Sequence, residues 1–235
     1  MRTIGLLGGM SWESTASYYR LINSLIKEKL GGLHSARLVM VSVDFASIAA
    51  CQQRGDWDEA GKLLAQAAQQ IEAAGADFLV IATNTMHCVL PAIQQAISIP
   101  VLHIADATGT ELQKHNITSA GLLGTAFTMQ QPFYKKRLEQ TFGLSVLVPT
   151  EEDQKRVHRV IFEELCVGKC VDESKQTFLR VIEQLHRQGA QGIILGCTEI
   201  GLLISQHDTA IPLYDTAYLH AEAAVNLALA GFAEA

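Results

Sequence analysis

No apolar run in the chain reaches the ~18 residues that a membrane-crossing helix needs. Positive charge is also scarce: 18 lysines and arginines face 24 aspartates and glutamates, for a net charge of −6. Nucleic acids and anionic membrane surfaces both call for a basic face, so neither is an expected partner. The one compact basic run, Lys135-Lys136-Arg137, reads as a solvated helix face. The start, MRTIGLLGGMSWES, passes directly into a strand pattern without the apolar stretch and cleavage site of a leader, so a cytoplasmic chain is expected.

Cysteine is sparse and irregular. Five thiols, at 51, 88, 166, 170 and 197, are odd in number and follow no regular spacing, which argues against a disulfide framework in a chain of 235 residues. Cys166 and Cys170 lie four apart, but no second Cys/His pair stands at zinc-site spacing. They are expected to be buried thiols, and no metal is expected. LLGGMS lacks the G-x-G-x-x-G spacing of a dinucleotide loop, and GCTEI lacks the second glycine of a nucleophile elbow.

The chain does contain a repeat. GLLG occurs at 5–8 and again at 121–124, GADFLVIATNT (75–85) matches GAQGIILGCTE (189–199), and IPVLHIAD (99–106) echoes IPLYDTA (211–217). Three markers in one order at a nearly constant offset describe two half-chains of about 115 residues built alike. At 49% hydrophobic residues, there is apolar surface for one large core or two modest ones.

TIGLL (3–7), RLVMVSV (37–43), DFLVIA (77–82) and PVLHI (100–104) read as short buried strands, because apolar runs without alternation suit a sheet covered on both faces. Helical patterns lie between them. Asp56 with Glu59 starts a helix over 57–73, whose stripe of Leu63, Leu64, Ala67, Ala68 and Ile71 ends at Gly75. Phe178, Val181, Ile182 and Leu185 repeat that stripe before Gly189. Strand–helix alternation implies parallel sheets, whose ligands bind beyond the carboxyl ends of the strands.

In the repeat alignment Thr83 falls on Cys197, Asn84 on Thr198 and Thr85 on Glu199. Two matched sites suit the inversion of a stereocentre, where one group removes a proton from one face and another delivers a proton to the opposite face. A thiol serves that purpose when its anion is stabilised, as at a helix N-terminus, and GIILG before Cys197 with TEIG after it predicts a strand-to-helix corner.

GLLGGMSWEST, the run Asn84-Thr85-Met86-His87 and GCTEIGLL, in that order, resemble the cofactor-independent aspartate/glutamate racemases, closest to the enterobacterial amino-acid racemase branch. The resemblance implies an α/β fold of two pseudosymmetric three-layer domains with parallel sheets and an active site in the cleft between them. The expected boundaries are 1–105 plus a returning C-terminal helix at 215–235, and 106–214. It further implies an amino-acid racemase, an isomerase that uses neither pyridoxal phosphate nor metal, acting on a small-molecule amino acid and commonly homodimeric.

That family carries cysteine at both catalytic positions, and here Thr83 stands at the first. A hydroxyl is barely ionised near neutral pH, so Cys197 is expected to take the α-proton from L substrates readily and reaction from the D side to be handicapped. By resemblance Asn84, Thr85, Thr125 and Thr198 hold the α-carboxylate, Glu199 meets the ammonium group, and Met10 and Gln52 line the substrate site. No arginine aligns near Gln52, and Cys166 occupies the place of an expected lysine, for which Lys169 is a possible substitute. Those missing anchors leave a broader range of amino acids open beside aspartate and glutamate. A single-cysteine malonate-type decarboxylase and a non-catalytic amino-acid-binding protein are the alternative readings.

Overall fold

A computed structural model describes residues 1–232, which divide into two compact units, 1–104 with the C-terminal segment from His220, and 105–219. The first unit holds strands β1 (Ile4–Gly8), β2 (Leu38–Ser42), β3 (Phe78–Ile81) and β4 (Val101–Leu102), with helices α1 (Trp12–Leu30), α2 (Phe45–Arg54), α3 (Trp57–Ala73) and α4 (Leu90–Ala96). All strand pairings are parallel, in the order β2-β1-β3-β4. Strands β1 and β3 are buried at every residue, which explains why they read as unbroken apolar runs.

Helix α3 covers the span that its pattern predicts. Asp56 caps it by accepting from the Glu59 N–H at 3.2 Å, and Leu64, Ala67, Ala68 and Ile71 join Leu79, Ile81 and Ile93 in the core. The β4 expectation was too long. Pairing stops at Leu102, because Ile104 already opens the next helix.

The second unit repeats the scheme with β5 (Ser119–Gly124), β6 (Ser145–Leu147), β7 (Gly192–Gly196) and β8 (Leu213–Asp215). The order is β6-β5-β7-β8, again all parallel, so the two sheets share one topology. Its helices are α5 (Ile104–Lys114), α6 (Ala126–Gln130), α7 (Pro132–Phe142), α8 (Glu151–Glu163), α9 (Asp172–Arg187) and α10 (Ile200–Leu203). Helix α9 buries Phe178, Val181, Ile182 and Leu185. A methyl group on Gly121 would stand 3.2 Å from Leu185 Cβ and 2.7 Å from Ile193 Cδ1, so β5 admits α9 only because that position is glycine. Helix α11 (Thr216–Leu229) begins in the second unit and continues into the first. No helix among the described residues is long and apolar enough to cross a membrane.

Candidate active site

In each sheet the chain leaves the two central strands toward opposite edges. After β1 it turns to β2, and after β3 to β4; β5 and β7 behave likewise. The carboxyl ends of the central pair are therefore a topological switch point, where loops diverge and leave a crevice. The residues singled out in the sequence lie at these ends. Met10 follows β1 and Thr83-Asn84-Thr85 follows β3, while Thr125 follows β5 and Cys197-Thr198-Glu199 follows β7.

In the first unit the crevice is built tightly. Ser11 caps α1, its Oγ accepting from the Ser14 N–H at 3.2 Å, and the Met10–Ser11 peptide is cis. Thr15 Oγ1 accepts from the Gly9 N–H at 2.7 Å and donates to the Ser11 carbonyl at 2.8 Å. Gly9 has φ +94°, and a methyl there would lie 2.1 Å from the Val43 carbonyl oxygen, so the glycine pair of LLGGMS is a close-packed turn. Ser14 Oγ donates to the Ala82 carbonyl at 3.4 Å and ties this loop to the end of β3.

Thr83, Asn84 and Thr85 are buried, and a 3-10 turn over Thr85–Val89 follows the end of β3. His87 Nδ1 lies 2.8 Å from the Thr83 carbonyl oxygen. Gln52, at the end of α2, donates from Nε2 to Met86 Sδ at 3.0 Å, which brings it beside this same turn. The structure thus gathers Met10, Gln52, Thr83, Asn84 and Thr85 around the ends of β1 and β3. Arg54 is exposed, with Nη2 3.7 Å from Cys51 Sγ.

In the second unit Gly124 and Gly196 are paired partners, so Thr125 and Cys197 leave the sheet side by side. A methyl on Gly196 would meet Leu122 Cδ1 at 2.6 Å and the Leu123 carbonyl oxygen at 2.8 Å. Thr125 caps α6, its Oγ1 accepting from the Thr128 N–H at 3.2 Å. Glu199 is buried, and its Oε2 receives two donors: Cys197 Sγ at 2.9 Å and Thr198 Oγ1 at 2.8 Å. Its other oxygen, Oε1, accepts from Cys166 Sγ at 3.9 Å.

These neighbours overturn one expectation. A thiol stabilised as its anion at a helix start was anticipated; instead Cys197 is held well above the ordinary thiol range. Burial is the largest cause, followed by the negative charge of Glu199 and then Cys166. Helix α10 is only four residues long, too short to offset them. Cys166 and Cys170 are not buried either: the first is half-buried and the second exposed. The 3-10 turn Leu165–Val167 ends at Gly168 with φ 73°, which carries the chain out toward solvent. Lys169 is exposed.

Two features escaped sequence reasoning. One is the direct hold of Glu199 on the Cys197 thiol, for which the only local sign was an acid two residues after the cysteine. The other is a set of buried histidines in the first unit. His87 and His103 have ring centroids 4.5 Å apart, and His220 bridges Tyr18 Oη at 2.9 Å and the Leu102 carbonyl at 2.9 Å. No local spacing announces that cluster, since its three histidines come from three separate segments.

Twinned parallel sheets, with hydroxyls and an amide at one switch point and a thiol beside a carboxylate at the other, define a two-unit α/β enzyme of the racemase type. The Asp/Glu/Hydantoin racemase family model matches residues 7–224, and the chain belongs to that family of racemases, which are isomerases. It is 27% identical to the broad specificity amino-acid racemase RacX of Bacillus subtilis over 228 residues, 97% of this chain and 98% of that one. A structure from Yersinia pestis, proposed to be an Asp/Glu racemase, shares 48% identity with a TM-score of 0.90, covering 97% of this chain and all of that chain, 100%. An aspartate racemase homologue from Pyrococcus horikoshii shares 34% identity with a TM-score of 0.84, over 97% of this chain and 99% of that chain.

Proposed function

We propose that the protein racemises aspartate or glutamate without a cofactor, with Cys197 serving the L face of the α-carbon and Thr83 in place of a second thiol. The observation that carries this reading is the Cys197 thiol at the end of β7, 2.9 Å from the buried Glu199 carboxylate. An amino-acid α-proton is barely acidic, so the site must hold the negative charge that spreads onto the α-carboxylate. Preorganised hydroxyl and amide donors from Asn84, Thr85, Thr125 and Thr198 supply that hold. Met10 and Gln52 line the substrate site, and Glu199 receives the ammonium group on its Oε1 side. Thr83 does not ionise near neutral pH; it relays a proton or holds the water that supplies one. Turnover from L substrates is therefore faster than from D substrates. The enzyme is a cytoplasmic homodimer in this reading, and needs neither pyridoxal phosphate nor metal.

A second reading, broad specificity, is favoured by one observation: Cys166, which stands at the place where the resemblance implies a lysine, has its Sγ 3.9 Å from Glu199 Oε1. Chiral chromatography of each L-amino acid after incubation with the protein tests both. D-aspartate or D-glutamate as the dominant product supports the first, and D-product from uncharged amino acids at comparable rates supports the second. No D-product from any amino acid would refute the racemase assignment.

A further inference from the structure

Helix α1 leaves an aromatic stripe in solvent. Trp12 is 68% exposed and Tyr19 53%, and with Ala16 between them they follow the i, i+4, i+7 spacing of one helix face. These three residues line a shallow groove with Thr15, Met40 and Ser42, so the stripe continues onto β2. Met40 is itself 46% exposed. Strand β2 is the outermost of its sheet, and its residues, LVMVS, include no charge and no proline. Sheet edges are ordinarily guarded by charge, proline or a bulge, because open backbone groups there recruit another chain. An unguarded edge beside two exposed aromatic rings has the composition of an interface core.

Charge decides which chain fits. Glu13 and Arg20, seven residues apart, run along the other margin of the same stripe. No ion pair among the described residues uses either one. Glu13 Oε2 is shielded from solvent and receives no hydrogen bond. Two copies of α1 set antiparallel about a twofold axis at Ala16 satisfy both margins. Each Trp12 then lies against the partner's Tyr19, and each Glu13 against the partner's Arg20. The two alanines at the crossing let the helices approach closely. Every contact occurs twice, as a twofold requires.

We propose that this face is where two copies of the chain pair, α1 against α1, crossing at Ala16. This rests on the homodimeric reading and supplies its surface. The aromatic pairs are the anchors, and the two ion pairs set the register. Sliding one helix by a turn carries Glu13 away from Arg20 and uncovers a Trp12 ring. The pairing also covers Met40 and with it the open edge of β2.

Exchanging the charges tests this in the full-length protein. Sedimentation velocity gives the association state, and native mass spectrometry identifies mixed dimers. Wild type should be dimeric at micromolar concentration. Glu13→Arg places positive charge at both positions and Arg20→Glu places negative charge at both, so each variant alone should dimerise about 10-fold more weakly or worse. Mixed in equal amounts, the two variants should form a heterodimer as tight as the wild-type dimer, because both ion pairs return. Combining Glu13→Arg and Arg20→Glu in one chain should restore self-pairing. Single variants that dimerise like wild type, or a mixture that forms no heterodimer, overturn this surface and leave the homodimeric reading standing. A monomeric wild type overturns both. If either charge variant fails to fold, Ala16→Cys in a Cys170→Ser background takes its place. A short bis-maleimide should join that variant into covalent dimers, and cross-linking no greater than in Cys170→Ser alone overturns the proposal equally.

Discussion

The imidazole Nδ1 of His87 lies 2.8 Å from the carbonyl oxygen of Thr83, four residues earlier, while Nε2 accepts from the Ile104 N–H at 3.4 Å. With Nε2 accepting, Nδ1 carries the hydrogen and donates to Thr83, so the ring links the end of β3 to the start of α5. Replacing His87 with Phe keeps a ring of similar size and removes both bonds. It should destabilise the protein by about 1–3 kcal/mol, read as a lower urea midpoint, and reduce racemisation. An unchanged midpoint would show that the link is not needed.

Alkaline pH should weaken the fold. Burial raises the Cys88 thiol to about 12 and holds Cys197 well above the ordinary thiol range. Both thiols keep their protons in the folded protein at pH values where the unfolded chain has lost them. Their contribution is fully present below the ordinary thiol range and is lost as pH rises from about 9 toward about 12 for Cys88. Urea midpoints of wild type and Cys88→Ala between pH 8 and pH 10.5 should show the flatter decline in the variant. Parallel declines would contradict this account.

Gly196 leaves no space for a side chain, because the nearest obstacle beside the Leu122 methyl is the backbone oxygen of Leu123 at 2.8 Å. A methyl there must part β5 from β7 and displace the adjacent Cys197. Gly196→Ala should cost about 1–3 kcal/mol and slow racemisation beyond the loss of folded protein, checked by urea denaturation alongside the rate per folded molecule.

Asp153 and Arg180 join α8 to α9 through a bond of 2.5 Å, with the Asp153 side chain only 7% exposed. The Arg180 hydrogen bond, partly opposed by burial, holds the Asp153 carboxyl below the usual carboxylate range. This stability is present above the ordinary aspartate pKa and is lost as pH falls through the lowered folded value. Arg180→Ala should lower stability by about 1–3 kcal/mol at pH 7 and make the acid side of the stability profile shallower. An acid limb as steep as that of wild type would count against the pair.

Much of this architecture was legible because it is written in periodicity. The span of α3, its Asp56 cap and the Phe178–Leu185 stripe of α9 follow from local spacing, as do the twinned markers that became two sheets of one topology. The placement of Thr83 and Cys197 just beyond strand ends was legible for the same reason, since strand ends in a repeat mark themselves. What eluded the sequence depends on tertiary neighbours. Cys166 meets Glu199 from a turn 33 residues away in the chain. The thiol of Cys197 is governed by burial and that carboxylate rather than by its place before a helix. Cys166 and Cys170 were expected inside, but Gly168 turns their segment outward.

The most direct test of the account is α-deuterium uptake from each enantiomer of aspartate and glutamate in heavy water, by wild type, Cys197→Ser and Thr83→Cys. Wild type should exchange the L enantiomer much faster than the D, Cys197→Ser should lose exchange by about 100-fold or more, and Thr83→Cys should bring the two enantiomers closer together. Equal rates for both enantiomers in wild type, or undiminished exchange without the Cys197 sulfur, would contradict it.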